Sequence, residues 1–528
     1  MRLYKLVACL VLPLAASAED WPAWTGPLGR NVARETNLPA DFDRDTGRNI
    51  KWVAELGDVA FGAPTVSQGR VYIGTNLTAL RDDPRFDGLQ GGVLACLDEA
   101  TGKPLWHLVT PERTEGFPER THMIHQRWGL CSSPAVDEDR VYVVTNGDDL
   151  LCLDTAGLRN GNDGPFQDEA AFMAGEGRPP IALETERDAD ILWRYDIPGE
   201  LGVAPHDTAS SSVLVEGDFV YAATSNGIGE GSPVYALNQQ APGFIALDKR
   251  TGQYRAREQT TLGESLFHAQ WGSATRAVVN EKPLILLGGN DGVCYAFEAL
   301  DETSAAERPE ALKTAWHFDA NPPHYRSYPN GKPIYYYQGD MRVYRNKLKN
   351  GEDTSTFNAG DGSFIGPNEI LASPIFYESR VYVLTGRDPL HGHARGTLSC
   401  VNATKTGNIS ESGLIWRFES IGRSLSSVAV DAGLVYAADR AGIVYCLDTA
   451  NGALYWQHDT PHEIWGNPLV ADGKLYVNTK HSFWILAAEK VRQVLFTSRG
   501  GGECGPIAAN GVVYAFIRGK LYAIAKGA

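Results

Sequence analysis

The chain has 528 residues, a formal net charge of −16 and an aromatic fraction of 10%. That charge excludes nucleic acid and anionic lipid as principal partners, because both require a basic footprint. With 56 glycines, the composition points to an all-β chain of many short strands and turns.

In chain order, the first segment reads MRLYKLVACLVLPLAASA. Arg2 and Lys5 supply a positive start, Leu6 to Leu14 an apolar run, and Ala16-Ser17-Ala18 a small-residue cleavage site. This is the layout of a secretory signal peptide, cut after Ala18, and its apolar run is too short to span a bilayer. No later run is apolar enough to span. The expectation is a mature chain in the periplasm or secreted, with 1–18 as signal peptide, 19–48 as an N-terminal extension and 49–528 as the folded body.

Within that body a unit recurs. It has a small residue with Pro, a short apolar run, a turn, and then Val-Tyr opening a second strand. The pairs are Val71-Tyr72, Val141-Tyr142, Val220-Tyr221, Val381-Tyr382, Val435-Tyr436, Leu475-Tyr476 and Val513-Tyr514, with Leu284-Ile285 in the weak fourth position. A third strand ends in an LD-like pair such as Leu97-Asp98 or Leu447-Asp448, and a Thr-Gly or Asn-Gly turn follows. A fourth strand carries Trp106, Trp193, Tyr254, Trp316, Trp416, Trp456 or Phe496. The last unit lacks such a strand, while Trp52 stands in a spare one ahead of the first unit. The expected fold is therefore a single eight-bladed β-propeller of four-stranded blades, with the N-terminal strand closing the last blade. Cys96, Cys152, Cys400 and Cys446 occupy the slot that holds Ala246 in another unit, so they read as small core residues and not as disulfides.

The pattern VYxxxxxGxLxCLDxxTGKxxW resembles the PQQ-binding-like β-propeller repeat, shared by quinoprotein alcohol dehydrogenases and an outer-membrane assembly scaffold. The opening DWPAWTGPLGRN is similar to that of exported bacterial proteins of the same type. The resemblance spans nearly the whole mature chain and is specific for fold.

In such a blade the segment leading into the innermost strand and the loop between the second and third strands share one face. Large insertions fall mostly there: Asn76–Gln90, Asn226–Pro242, 319–369 and Gly386–Gly396, with 155–190 and 299–314 expected on the opposite face. The lead-in segments converge on the central channel and carry an unusual residue set. Blade 2 brings His125, Arg127 and Trp128; blade 3, His206 and Asp207; blade 4, His268, Gln270 and Trp271. Blade 5 brings Asn368 and Glu369; blade 6, Arg423; blade 7, His462, Glu463 and Trp465; blade 8, Glu503. His122, His324, Tyr325, His391 and His393 come from loops on the same rim. Titratable and stacking groups gathered at one concave place point to a ligand site.

Three functions follow from this set. The resemblance implies a quinoprotein-like oxidoreductase acting on an alcohol or sugar, with PQQ and a divalent cation such as calcium. There Trp128, Trp271, Arg127, Gln270 and Trp465 would bind the cofactor, and Asp207, Glu369, Arg423 and His206 would be catalytic. The sequence has no adjacent cysteine pair and no CxxCH haem-attachment motif. The alternative is a lyase on acidic sugars with a transition metal alone, held by His125, His268, His462 and Glu463. The third is a non-catalytic scaffold with a protein partner. In the first two the ligand is a small molecule or carbohydrate in the central channel.

Overall fold

The computed structural model describes residues 19–113, 128–206, 208–227, 238–260, 262, 266–301, 309–336, 349, 365–387 and 395–528. Among them the strands form eight sheets of four or five strands each. In blade 1 the strands are Thr65–Ser67, Arg70–Asn76, Gly91–Asp98 and Pro104–Pro111, each antiparallel to the next. Blade 8 has Ile507–Ala509, Val512–Ile517 and Lys520–Ile524, and Ile50–Glu55 pairs antiparallel with the last of these. The spare strand thus completes the ring, which removes an open edge.

The repeated residues explain why the blades stack. β-branched and aromatic side chains suit a pleated surface buried on both faces, and Val71 and Tyr72 are fully buried. The Tyr packs on the fourth-strand Trp of its own blade, with centroids 5.8 Å apart for Tyr72–Trp106 and 6.1 Å for Tyr436–Trp456. The indole N–H then reaches forward into the next blade. Trp106 donates to the Thr155 carbonyl at 2.9 Å, Trp193 to Lys249 at 3.1 Å, and Trp456 to Glu489 at 2.9 Å. Trp52 performs the same step across the closure, donating to Glu99 of blade 1 at 2.9 Å while packing 5.8 Å from Tyr514 of blade 8. The turn glycine answers this indole. Gly102 has φ +70°, and a Cβ there would lie 2.5 Å from the Trp52 ring.

The predicted small core slot holds. Cys96, Cys152, Cys400 and Cys446 are buried, free, and paired across from Tyr72, Tyr142, Tyr382 and Tyr436. A second ring of small polar residues runs round the axis: the Ser133 N–H donates to Ser212 Oγ, Ser212 to Ser273 Oγ, and Ser373 to Ser427 Oγ. These serines knit neighbouring blades, which accounts for the small residue that marks each unit.

Within the stretch 19–48, read from sequence as an N-terminal extension, residues 21–33 run from blade to blade across the ring. Trp21 exchanges both backbone hydrogen bonds with Val66 of blade 1, and the Pro22 carbonyl accepts from Val136 of blade 2. Trp24 donates to Ser373 Oγ of blade 5, Arg30 Nη1 to the Val430 carbonyl of blade 6, and Val32–Ala33 pairs parallel with the innermost strand of blade 7. Asp20 accepts from the Gln68 N–H and Leu38 donates to Asp472, both in first turns of their blades. Those turns lie opposite the lead-in face, so the segment floors the channel there.

The strand 3–4 insertions differ from expectation. They leave the opposite face and run up the outside of the preceding blade, where an unpaired edge strand offers its backbone groups. Glu310–Ala311 pairs parallel with Tyr254–Arg257 of blade 3, and Gly407–Asn408 with Thr314–Asp319 of blade 4. The 155–190 insertion bridges His107 on the outer strand of blade 1 through Asp188 and reaches Arg85, whose Nη1 donates to Asp188 at 2.7 Å.

Candidate functional site

The lead-in segments stand at the other end of the channel from this floor. At that end, blades 3 and 4 bring two imidazoles together: the His206 and His268 rings meet edge to face with centroids 4.4 Å apart. Trp271 stands 5.0 Å from His268, also edge on. His268 is 2% exposed, whereas His206 and Trp271 are only half-buried.

Backbone pairing fixes this meeting. Asn226-Gly227, where blade 3 leaves its second strand, bridges Pro205 on one side and Ala269 on the other. Gly227 is required by close approach, since a Cβ would come within 2.3 Å of the His206 Cβ. Asn290 then organises the blade 4 lead-in. Its Oδ1 accepts from the Phe267 and His268 N–H groups at 2.7 Å each, and its Nδ2 donates to the Ala269 carbonyl and to Glu369 Oε2. Gln270 is fully buried, with its amide donating to the Gly288 carbonyl and accepting from the Asn290 N–H, both at 2.9 Å. It braces the blade.

Blade 5 supplies a buried carboxylate. Glu369 accepts from Tyr336 Oη at 2.5 Å and from Asn290 at 2.7 Å. Tyr336 stacks on Phe267 with centroids 5.0 Å apart, and the fully buried Arg387 guanidinium lies 4.0 Å above its ring. Arg423 of blade 6 is 7% exposed. Across the mouth, Glu463 accepts from Arg440 Nη2 and Trp465 Nε1, each at 3.1 Å, and Arg440 also lies 5.3 Å over the Trp465 ring. His462 packs edge on against His481 at 5.1 Å. Burial raises the Glu503 carboxyl, with Lys480 and His481 pulling it the other way. Phe61 sits between Trp128 and Trp465, at 6.0 and 5.7 Å, linking blades 1, 2 and 7.

The structure thus brings His206, His268 and Trp271 into one group, places Glu369 beside it, and sets His462, Glu463 and Trp465 apart in a second. His125, Arg127, Asp207, His122, His391 and His393 lie outside the described residues. Asn290, Tyr336, Arg387, Arg440 and Phe61 were not anticipated. Asn290 and Arg440 sit in second-to-third-strand turns, which share the lead-in face, so GGNDG and ADRAG carried the signal for both. His324 faces outward and pairs with Glu419 at 3.2 Å.

A quinone seated over a cation needs an open indole face and carboxylate oxygens able to ligate. Both oxygens of Glu369 and of Glu463 already accept hydrogen bonds, and Trp465 has Phe61 and Arg440 against it. These two carboxylates and this indole are thus already engaged within the protein. Among the described residues no third His, Cys, Asp or Glu ligand joins His206 and His268 there.

A family model described as outer membrane protein assembly factor BamB matches residues 34–356 and 394–526. The chain belongs to this PQQ-like propeller family. Among solved structures, BamB from Moraxella catarrhalis is 12% identical with a TM-score of 0.49, covering 90% of this chain and 96% of that one. A europium-containing methanol dehydrogenase is 12% identical at TM-score 0.45, with coverages of 94% and 89%. The quinohemoprotein alcohol dehydrogenase from Comamonas testosteroni is 12% identical at 0.42, with coverages of 96% and 81%. No curated protein matches the chain. Among the described residues no helix is long and apolar enough to cross a membrane.

Proposed function

We propose that this exported propeller is an enzyme acting on a small alcohol or sugar at the mouth of its axial channel. The observation that carries this reading is the His206–His268 pair, 4.4 Å apart and flanked by Trp271. An imidazole nitrogen can take a proton from a hydroxyl or an activated C–H, and a second imidazole in contact can share it. The indole offers an apolar wall for a sugar ring.

Oxidation and elimination both begin with that proton. In a quinoprotein-like oxidation, a bound quinone would supply the hydride acceptor, and the imidazole pair would take the hydroxyl proton. In a lyase reaction on a uronate, the electron pair forms a double bond and expels the glycosidic oxygen. The repeat family favours the first reading. The family description also supports a non-catalytic assembly role, which predicts silent axial substitutions.

The test is elemental analysis and an absorbance spectrum of the purified full chain. These go with turnover of alcohols and sugars using an artificial electron acceptor, and of uronides followed by absorbance of the unsaturated product. His206→Ala and His268→Ala should each lower activity at least ~100-fold, the usual scale for a lost acid–base group. Wild-type inactivity on every class, with no thermal shift by any ligand, favours the scaffold.

A further inference from the structure

Away from the channel, the 155–190 insertion holds a carboxylate cluster that the axial site does not use. Asp154 ends the third strand of blade 2, Asp163 sits in the loop Asn160-Gly161-Asn162-Asp163-Gly164, and Asp190 precedes the fourth strand. One oxygen from each lies within 4.8 Å of the others. Asp190 is fully buried; its Oδ2 accepts from the Asp163 N–H at 3.0 Å, but its Oδ1 is buried without a hydrogen-bond partner. An unpartnered carboxylate oxygen in that position is costly unless something positive meets it.

Among the described residues no ion pair reaches these three carboxylates. Glu169, also fully buried, is a fourth acid nearby, accepting from Asn162 Nδ2 at 2.8 Å and from the Ile191 N–H at 3.3 Å. The donors here are neutral: Asn160 Nδ2 donates to Asp154 Oδ2 at 3.1 Å and to Asp163 Oδ2 at 3.3 Å, and the Ala156 N–H to Asp154 Oδ1 at 2.6 Å. Asp163 is exposed, so water can complete a coordination sphere from outside.

We infer that Asp154, Asp163 and Asp190 form a calcium site that pins the blade 2 insertion to its blade. The donors are all hard oxygens on a loop of irregular spacing, which suits the larger and less demanding calcium ion over magnesium and disfavours zinc or copper. The insertion is the strap that runs along the outer strand of blade 1 to Arg85, so the ion fastens one blade to the next. Its role is structural and independent of the axial chemistry.

The test uses the full chain stripped with EGTA and dialysed. Adding calcium should raise the thermal midpoint, bind with one site per chain by calorimetry, and slow proteolytic cleavage within 155–190; magnesium at equal concentration should do much less. Asp163→Asn changes an exposed side chain and should fold, yet weaken calcium binding at least ~10-fold, as should Asp190→Asn. A His206→Ala/His268→Ala double variant should keep the full calcium response. Absence of a calcium response in wild type, or an undiminished one in Asp163→Asn, overturns the assignment. A response lost in the axial double variant would place the ion in the channel and overturn it equally.

Discussion

Trp52 and Trp456 form a matched pair that tests whether the closure is a seam like any other. Trp52 is 8% exposed and Trp456 7%, and each indole donates to a carbonyl of the next blade at 2.9 Å. Each packs on the tyrosine of its own blade, at 5.8 and 6.1 Å. Replacing a buried Trp with Ala costs about 3–5 kcal/mol through lost burial and the cavity left behind. Trp→Phe keeps most of the ring contact and removes the N–H, which costs about 1 kcal/mol. Trp52→Ala and Trp456→Ala should therefore lower stability by equal amounts within about 1 kcal/mol, and the two Phe variants by a smaller equal amount. Chemical denaturation followed by fluorescence and by limited proteolysis measures both. If Trp52→Ala is near neutral while Trp456→Ala loses the full amount, the N-terminal strand is not a working part of blade 8 and the closure argument fails.

Gly102→Ala should cost far more than Gly69→Ala. Both have φ above +69°, but only Gly102 faces an indole 2.5 Å from the new Cβ, whereas nothing lies within 4 Å at Gly69. Thermal denaturation should separate strain alone, about 1–2 kcal/mol, from strain plus clash. Burial raises the Asp291 carboxyl from 3.8 to about 6, so the folded chain holds a proton there that the unfolded chain releases. Stability from this group is present below about pH 4 and is lost as pH climbs through about 6. Asp291→Asn should flatten that limb of the denaturation-midpoint profile; an unchanged profile refutes the assignment.

The propeller was legible because its signals repeat. Val-Tyr, the LD turn and the fourth-strand Trp each solve one packing problem that recurs from blade to blade, so single departures do not hide the pattern. The straps were not legible, because Glu310–Ala311 and Gly407–Asn408 are two-residue strands whose partners lie in another blade. The His206–His268 pair could be placed on one rim from repeat alignment, but its contact depends on Gly227 and Asn290, each of which reads in sequence as an ordinary turn residue. Gln270 carries the opposite lesson. Its amide looks like a ligand on paper, and the strand beside it takes both ends.

The floor of the channel also bears on how the chain reaches its native state. Residues 19–55 precede every blade in the chain, yet their partners are spread from Val66 to Ala528. Blades 2 to 7 are built from neighbouring stretches and can form locally, whereas this segment has nowhere complete to dock until blade 8 exists. The last event is therefore a long-range one, in which a single stretch seals the rim and stops the channel together. A chain cut short before blade 8 would leave Trp52 without Tyr514 and its strand without the Lys520–Ile524 partner. Such a product would be a sticky intermediate, not a smaller propeller.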